Sequence, residues 1–218
     1  SDAPETDRLL LAMQLRFIEQ GWTPQQRLDL LSFYEDANKK KGGGSYARYI
    51  INVTRDFCQQ LNEEESRLVL EQGQKWPNAA LGALYKLPKD LDEPTETQLI
   101  KLDEKLASQK GDSIQRLQIG ILAVLARSGD PAAMAYLRKV FDESPERRQA
   151  AALGLAQQPG GENWNYLLRS LPGLEPAAGR EICAKLTEVE QPPEEADYYR
   201  QAILLGLKMR KKDPEKDN

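Results

Sequence analysis

Residues 121–137 read ILAVLARSGDPAAMAYL, and residues 151–167 read AALGLAQQPGGENWNYL. Leu125-Ala126 is echoed by Leu155-Ala156, and Tyr136-Leu137 by Tyr166-Leu167, at a step of about 30 residues. Met134 falls opposite Trp164 at the same step. Each copy is an apolar stretch with helical spacing, a tight turn holding Gly or Pro, and a second helix. A looser third copy runs from Ile182 through Leu186 to Tyr198-Tyr199. A period of this size built from helix pairs marks an α-solenoid. One pair cannot cover its own apolar face, so neighbours stack and share a core. Ala150-Ala151-Ala152 with Gly154 supplies the small residues that let backbones approach, and Gly120 and Ala123 do the same one unit earlier. A helix-interior glycine costs about 1 kcal/mol against alanine, so packing is expected to offset it at Gly120 and Gly154.

The helical period continues outward. Ile114, Leu117, Ile121, Val124 and Leu125 form one stripe, and Tyr46, Ile50, Val53, Phe57 and Leu61 another. No two-residue alternation is bounded by turn signals, so strands are not expected. Thr23-Pro24-Gln25-Gln26 carries a cap, a proline at the first helical position and a glutamine three residues after the cap. Asn62-Glu63-Glu64-Glu65 and Ser144-Pro145-Glu146 read as further starts. Gly21, Gly73, Gly111 and Gly129 stand where a left-handed residue ends a helix. The expected helices are 5–20, 24–40, 46–61, 63–72, 78–87, 94–109, 112–128, 131–142, 145–157, 162–171, 175–188 and 194–211. They imply an all-α fold, a right-handed α-solenoid of about six stacked antiparallel helix pairs of the HEAT or armadillo kind. Residues 1–110 hold less regular pairs, 111–212 the regular repeats and 213–218 a frayed tail, in one continuous domain.

Composition narrows the chemistry. The chain has 218 residues, 30 Lys+Arg against 34 Asp+Glu, a net charge of -4 and no histidine. Without histidine, Ser-His-Asp and Cys-His catalysis, His-liganded zinc and His-ligated haem are excluded within the chain. A nucleic-acid binder usually carries a basic excess, and this chain does not. Cys58 and Cys183 read as buried free thiols, too few for a structural zinc site. No apolar run approaches the roughly 20 residues that span a bilayer, so a soluble chain is expected. The start at Ser1 suggests an excerpt of a longer protein or a processed chain.

One segment carries a family likeness. It runs Gly21-Trp22-Thr23-Pro24-Gln25-Gln26-Arg27, Phe33-Tyr34-Glu35, Gly43-Gly44-Ser45-Tyr46, Tyr49-Ile50, Asn52-Val53 and Arg55-Asp56. These residues, within 21–65, resemble the HEAT-repeat-like helical region of large planctomycete proteins. In those, the region often sits between a dehydrogenase-like β-propeller and a c-type cytochrome domain. A Cys-x-x-Cys-His haem site is absent here, so no haem chemistry is carried over. The resemblance implies a scaffold segment of an exported or periplasmic multidomain protein.

Candidate sites each have two readings. KKKGGGSYARY at 39–49 has the residue types of a phosphate site. A phosphate loop needs lysine after the glycines, following a strand. Here the lysines instead close helix 24–40, the glycines turn, and Ser45 caps the next helix. An anion or a partner could still be held by Lys40, Lys41, Ser45, Tyr46 and Arg48 beside the free amides of that helix. Tyr34, Tyr46 and Tyr49 with Arg48 and Arg55 could form an aromatic-basic surface, against core packing for Tyr46. Glu35, Asp36 and Asp56 could pair for acid-base work, against chance proximity in an acidic chain. Trp22, Trp76 and Trp164 read as packing residues near turns rather than exposed anchors. Lys208, Arg210, Lys211 and Lys212 read as a basic helix end or a docking surface for a neighbouring domain.

The expected function is non-catalytic: a scaffold or interaction module binding a protein partner or adjacent domains, with no cofactor, metal or nucleic acid. Its binding face would be the concave side. The alternative is a HEAT-like nucleic-acid-binding or DNA-glycosylase-type protein, which needs a basic groove, stacked aromatics and a carboxylate.

Overall fold

A computed structural model describes residues 5–41, 44–160, 162–188 and the isolated positions 200, 201, 204 and 208. Among the described residues the regular structure is all helical, without a strand. The helices are α1 (Glu5–Leu15), α2 (Pro24–Lys41), α3 (Gly44–Cys58), α4 (Glu63–Glu71), α5 (Pro77–Leu84), α6 (Glu93–Leu106) and α7 (Asp112–Ser128). They continue with α8 (Pro131–Glu143), α9 (Arg148–Leu155), α10 (Asn163–Ser170) and α11 (Pro176–Thr187), with a short 3-10 turn at Leu171–Gly173. The expected helix 194–211, the tail 213–218 and Tyr198-Tyr199 lie outside the described residues, apart from those isolated positions. Contacts group the chain into two compact units, Ser1–Ile121 and Leu122–Asn218, the division falling within α7.

Several ends follow the cap chemistry. The Gln26 amide donates to Thr23 Oγ1 at 3.3 Å, and the Thr23 amide to Gln26 Oε1 at 2.9 Å. Asn62 and Glu65 make the same reciprocal pair at 2.8 and 3.0 Å. Gly21, Gly111 and Gly129 have φ of +84°, +131° and +69°, conformations that an L side chain resists. Gly73 corrects the expectation: its φ is not positive, and a Cβ there would lie 2.8 Å from Leu102 Cδ2. What glycine supplies here is room beside the Leu102 side chain, not backbone handedness. Ser144 also differs. It ends α8, its hydroxyl accepts from Arg147 Nε at 3.2 Å, and α9 starts only at Arg148. Helix α1 stops at Leu15 rather than 20, where turn bonds from the Phe17 and Ile18 amides replace the α pattern.

In the first unit α3 packs on α2 and α5, α5 on α4, and α4 on α6. The predicted stripe of α3 is buried at Ile50, Val53 and Phe57, with Leu61 just beyond it. Burying each such side chain contributes about 1.5–3 kcal/mol. Phe57 centres an aromatic cluster, with Trp22 at 5.5 Å and Tyr34 at 6.2 Å, both edge-on. The Tyr34 hydroxyl donates to Ala12 O at 2.6 Å and ties α2 to α1.

In the second unit α9 contacts α8, α10 and α11, and α8 also contacts α10. The repeat-related positions are buried together: Leu125 with Leu155, Ala126 with Ala156, Leu137 with Leu167, and Met134 with Trp164. Gly154 lies close to its neighbours in that packing. A Cβ there would sit 3.2 Å from Ala126 Cβ.

Candidate functional site

The segment that resembled a binding loop holds the end of one helix and the start of the next. Helix α2 runs through Lys41, and α3 begins at Gly44. Ser45 therefore lies inside the first turn of α3 rather than at the expected cap. It is exposed, as are Lys40 and Arg48, and Tyr46 is half-buried. The Lys41 side chain, Gly42 and Gly43 lie outside the described residues.

Arg48 lies one turn into α3. It lines a pocket of about 540 Å³ with Lys110, which precedes α7, and Asp112 and Arg116 in its first turns. Ala47, Ile51 and Ile114 give the pocket its apolar part. Neither Ser45 nor Tyr46 lines it. Arg116 Nε donates to Asp112 O at 3.2 Å, which orients its guanidinium. No local motif signals this pocket, because Arg48 and Lys110 are joined only through tertiary packing.

The carboxylates of the same region are not pooled. Asp56 pairs with Arg16 at 3.4 Å, and Asp36 stands 3.9 Å from Lys39. Glu35 is almost fully buried at 1 % exposure. Its Oε1 accepts the Ala79 amide at 2.7 Å and its Oε2 the Asn78 side-chain amide at 3.0 Å. Helix α5 has no side-chain cap of its own, since Trp76 at its N-cap makes no such bond. Glu35, on α2, thus supplies the anion that the positive end of α5 favours. Burial pushes the Glu35 carboxyl up, against the pull of the two amide donors.

Cys58 lies beside it. Its Sγ contacts Ala79 O at 3.4 Å, and Gly82 lets α5 approach so closely that a Cβ would lie 2.8 Å from Cys58 Cβ. Burial, with the Glu35 charge adding, pushes the thiol well above its ordinary range. A thiol held protonated is a poor nucleophile. Arg27 is buried against Glu65, with Nε 3.2 Å from Oε1, and lies 5.8 Å from the Phe57 ring. These groups join helices. Cys58 is buried as expected, whereas Cys183 is only half-buried.

The second unit has an aromatic-basic cluster that the sequence reading missed. Phe141 and Tyr166 pack edge-on at 5.6 Å. Arg148 stands 5.4 Å from the Phe141 ring, and Arg169 lies 4.5 Å from the Tyr166 ring. Arg138 reaches Asn163 Oδ1 at 2.8 Å and Glu162 at 3.3 Å. Trp164 is in the core, and Trp22 packs on Phe57, as packing residues should.

Among the described residues no cluster of three His, Cys, Asp or Glu could hold a metal, and no helix is long and apolar enough to cross a membrane. Compared with protein families, curated proteins and solved structures, the chain matches none.

Proposed function

We propose that the chain is a non-catalytic helical-repeat scaffold, a right-handed array of stacked antiparallel helix pairs of the HEAT or armadillo kind. It would hold a protein partner or adjoining domains of a larger exported protein. One observation carries this reading: within each unit, helices two apart in sequence pack together. In the first unit these are α3 with α5 and α4 with α6, and in the second α8 with α10 and α9 with α11. Gly120 of α7 extends the first row, since a Cβ there would lie 2.8 Å from Leu81 Cδ1 of α5. Two rows of alternate helices are what stacked pairs require. Buried Glu35 and the buried Arg27–Glu65 pair support the same reading, because each joins one helix to another.

The likeness of 21–65 to the helical region of planctomycete multidomain proteins supplies the setting, by analogy. Cross-linking the full-length protein and mapping the bridges by mass spectrometry tests it. Cross-links from exposed lysines such as Lys101 and Lys105 into flanking domains or one partner are expected. Bridges confined to this chain at all lysines would sink the scaffold reading. Titration with a DNA duplex at low salt is the complementary test. Tight, salt-dependent binding would favour the glycosylase-type alternative.

A further inference from the structure

The pocket between α3 and the start of α7 is of ligand size, at about 540 Å³. Three cations converge on it from separate places: Arg48 from α3, Lys110 from the preceding loop and Arg116 from α7. Among the described residues, none of the three meets a carboxylate in an ion pair. Five arginines elsewhere meet carboxylates, although among the described residues Arg55 and Arg148 do not. Arg16 meets Asp56, Arg27 meets Glu65, Arg67 meets Glu63 and Asp92, Arg138 meets Glu162, and Arg169 meets Asp142. In a chain of net charge -4, unmatched cations gathered in one concavity stand out. Like charges around one concavity repel, and an anion held among them would relieve that repulsion.

The lining also carries a single acid, Asp112, the first residue of α7, where negative charge already suits the helix end. Asn38 and Ser113, both half-buried, add neutral hydrogen-bonding groups. Buried Ala47 and Ile114, with half-buried Ile51, form an apolar floor that a bare ion would leave uncovered. Two guanidiniums and an ammonium suit a phosphate, which guanidinium can grip at two oxygens. We propose that this pocket binds a phosphomonoester carried on an apolar group. The site differs from the Ser45 helix start, shares only Arg48 with it, and does not depend on the scaffold reading.

Calorimetric titration of the intact chain with phenyl phosphate tests the proposal. We expect saturable binding with a dissociation constant below about 1 mM. Charge reversal by Arg48→Glu or Lys110→Glu should weaken it at least about tenfold, while Lys89→Glu, an exposed cation outside the pocket, should change it less than about twofold. All three positions are exposed, and thermal melting checks that the variants fold. Inorganic phosphate should bind about tenfold more weakly, because it leaves the floor uncovered. No saturation by about 10 mM phenyl phosphate, or equal weakening by Lys89→Glu, would overturn the site. Equal affinity for inorganic phosphate would overturn the apolar requirement. A phosphoserine peptide then separates the sources. Tighter binding than phenyl phosphate places the ligand on a partner protein, and weaker binding places it on a small molecule.

Discussion

The two units solve the same packing problem with different chemistry. In Ser1–Ile121, helices are joined by buried polar groups: Glu35 on the start of α5, Arg27 on Glu65, and Tyr34 on Ala12. In Leu122–Asn218, they are joined by small residues around Gly154 and by arginines against Phe141 and Tyr166. Small-residue and apolar joints can recur, because each copy needs only the same volume at the same step. A buried charge needs a particular partner, so each polar joint in the first unit occurs once. This is why the 30-residue repeat is visible in the second half and faint in the first.

Truncation of Trp164 should be the most costly change. Trp164→Ala removes a core side chain that is 4 % exposed, and should cost about 4 kcal/mol by urea unfolding. A loss under about 1 kcal/mol would mean that the shared Met134 and Trp164 position is not a core position.

The first unit's counterpart is Arg27→Ala, expected to cost about 3 kcal/mol by leaving the buried Glu65 carboxylate without its cation. Adding Glu65→Gln should recover part of that loss. If the double variant is no better than the single one, the pair is not the joint that the distance suggests.

Glu35→Gln should cost about 2 kcal/mol near neutral pH, because one amide donor loses its acceptor. Its pH dependence has a definite sign. The folded carboxyl titrates above its ordinary value of 4.5, so the folded chain binds that proton more readily than the unfolded one. This contribution to stability is full below 4.5 and is lost as pH rises through the folded value. The advantage of wild type over Glu35→Gln in melting temperature should therefore be wider at about pH 4.5 than at about pH 8. A gap that widens with rising pH would reverse the assignment.

Two glycine changes sharpen the contrast at lower cost. Gly82→Ala should destabilise by about 1–2 kcal/mol, since Cys58 Cβ is part of a packed helix and cannot swing away. Gly154→Ala meets a looser contact of 3.2 Å, and its helix propensity gain of up to about 1 kcal/mol should leave stability almost unchanged. Arg169→Gln should also cost under about 1 kcal/mol, because Arg169 is mostly exposed and its ring and Asp142 contacts are screened. Equal effects from Gly82→Ala and Gly154→Ala would erase the distinction between the units at this level.

Much of the local structure was readable. The cap at Thr23 and the box at Asn62 require only a few residues, and both form as their chemistry demands. The ends that moved did so where another interaction competed. Ser144, read as the start of a helix, instead closes α8, because its amide already has Val140 O as a partner. Glu35 was legible as an acid but not as a cap, since the helix it serves begins 42 positions later, at Pro77. Gly82 gave no signal, because the atom that excludes a side chain there belongs to Cys58 on another helix.

By itself the sequence determined the helical class, the approximate span of most elements and which stripes are buried, because these depend on spacing of apolar residues and on caps within one turn. It also excluded histidine chemistry by composition. Only the tertiary structure decided that Glu35 joins α2 to the start of α5, that Cys58 is sealed against α5, and that Arg48 lines one pocket with Lys110 and Arg116. The physical reason is range. Backbone hydrogen bonds and hydrophobic period act over a few residues, whereas a site is made by side chains that only packing brings together.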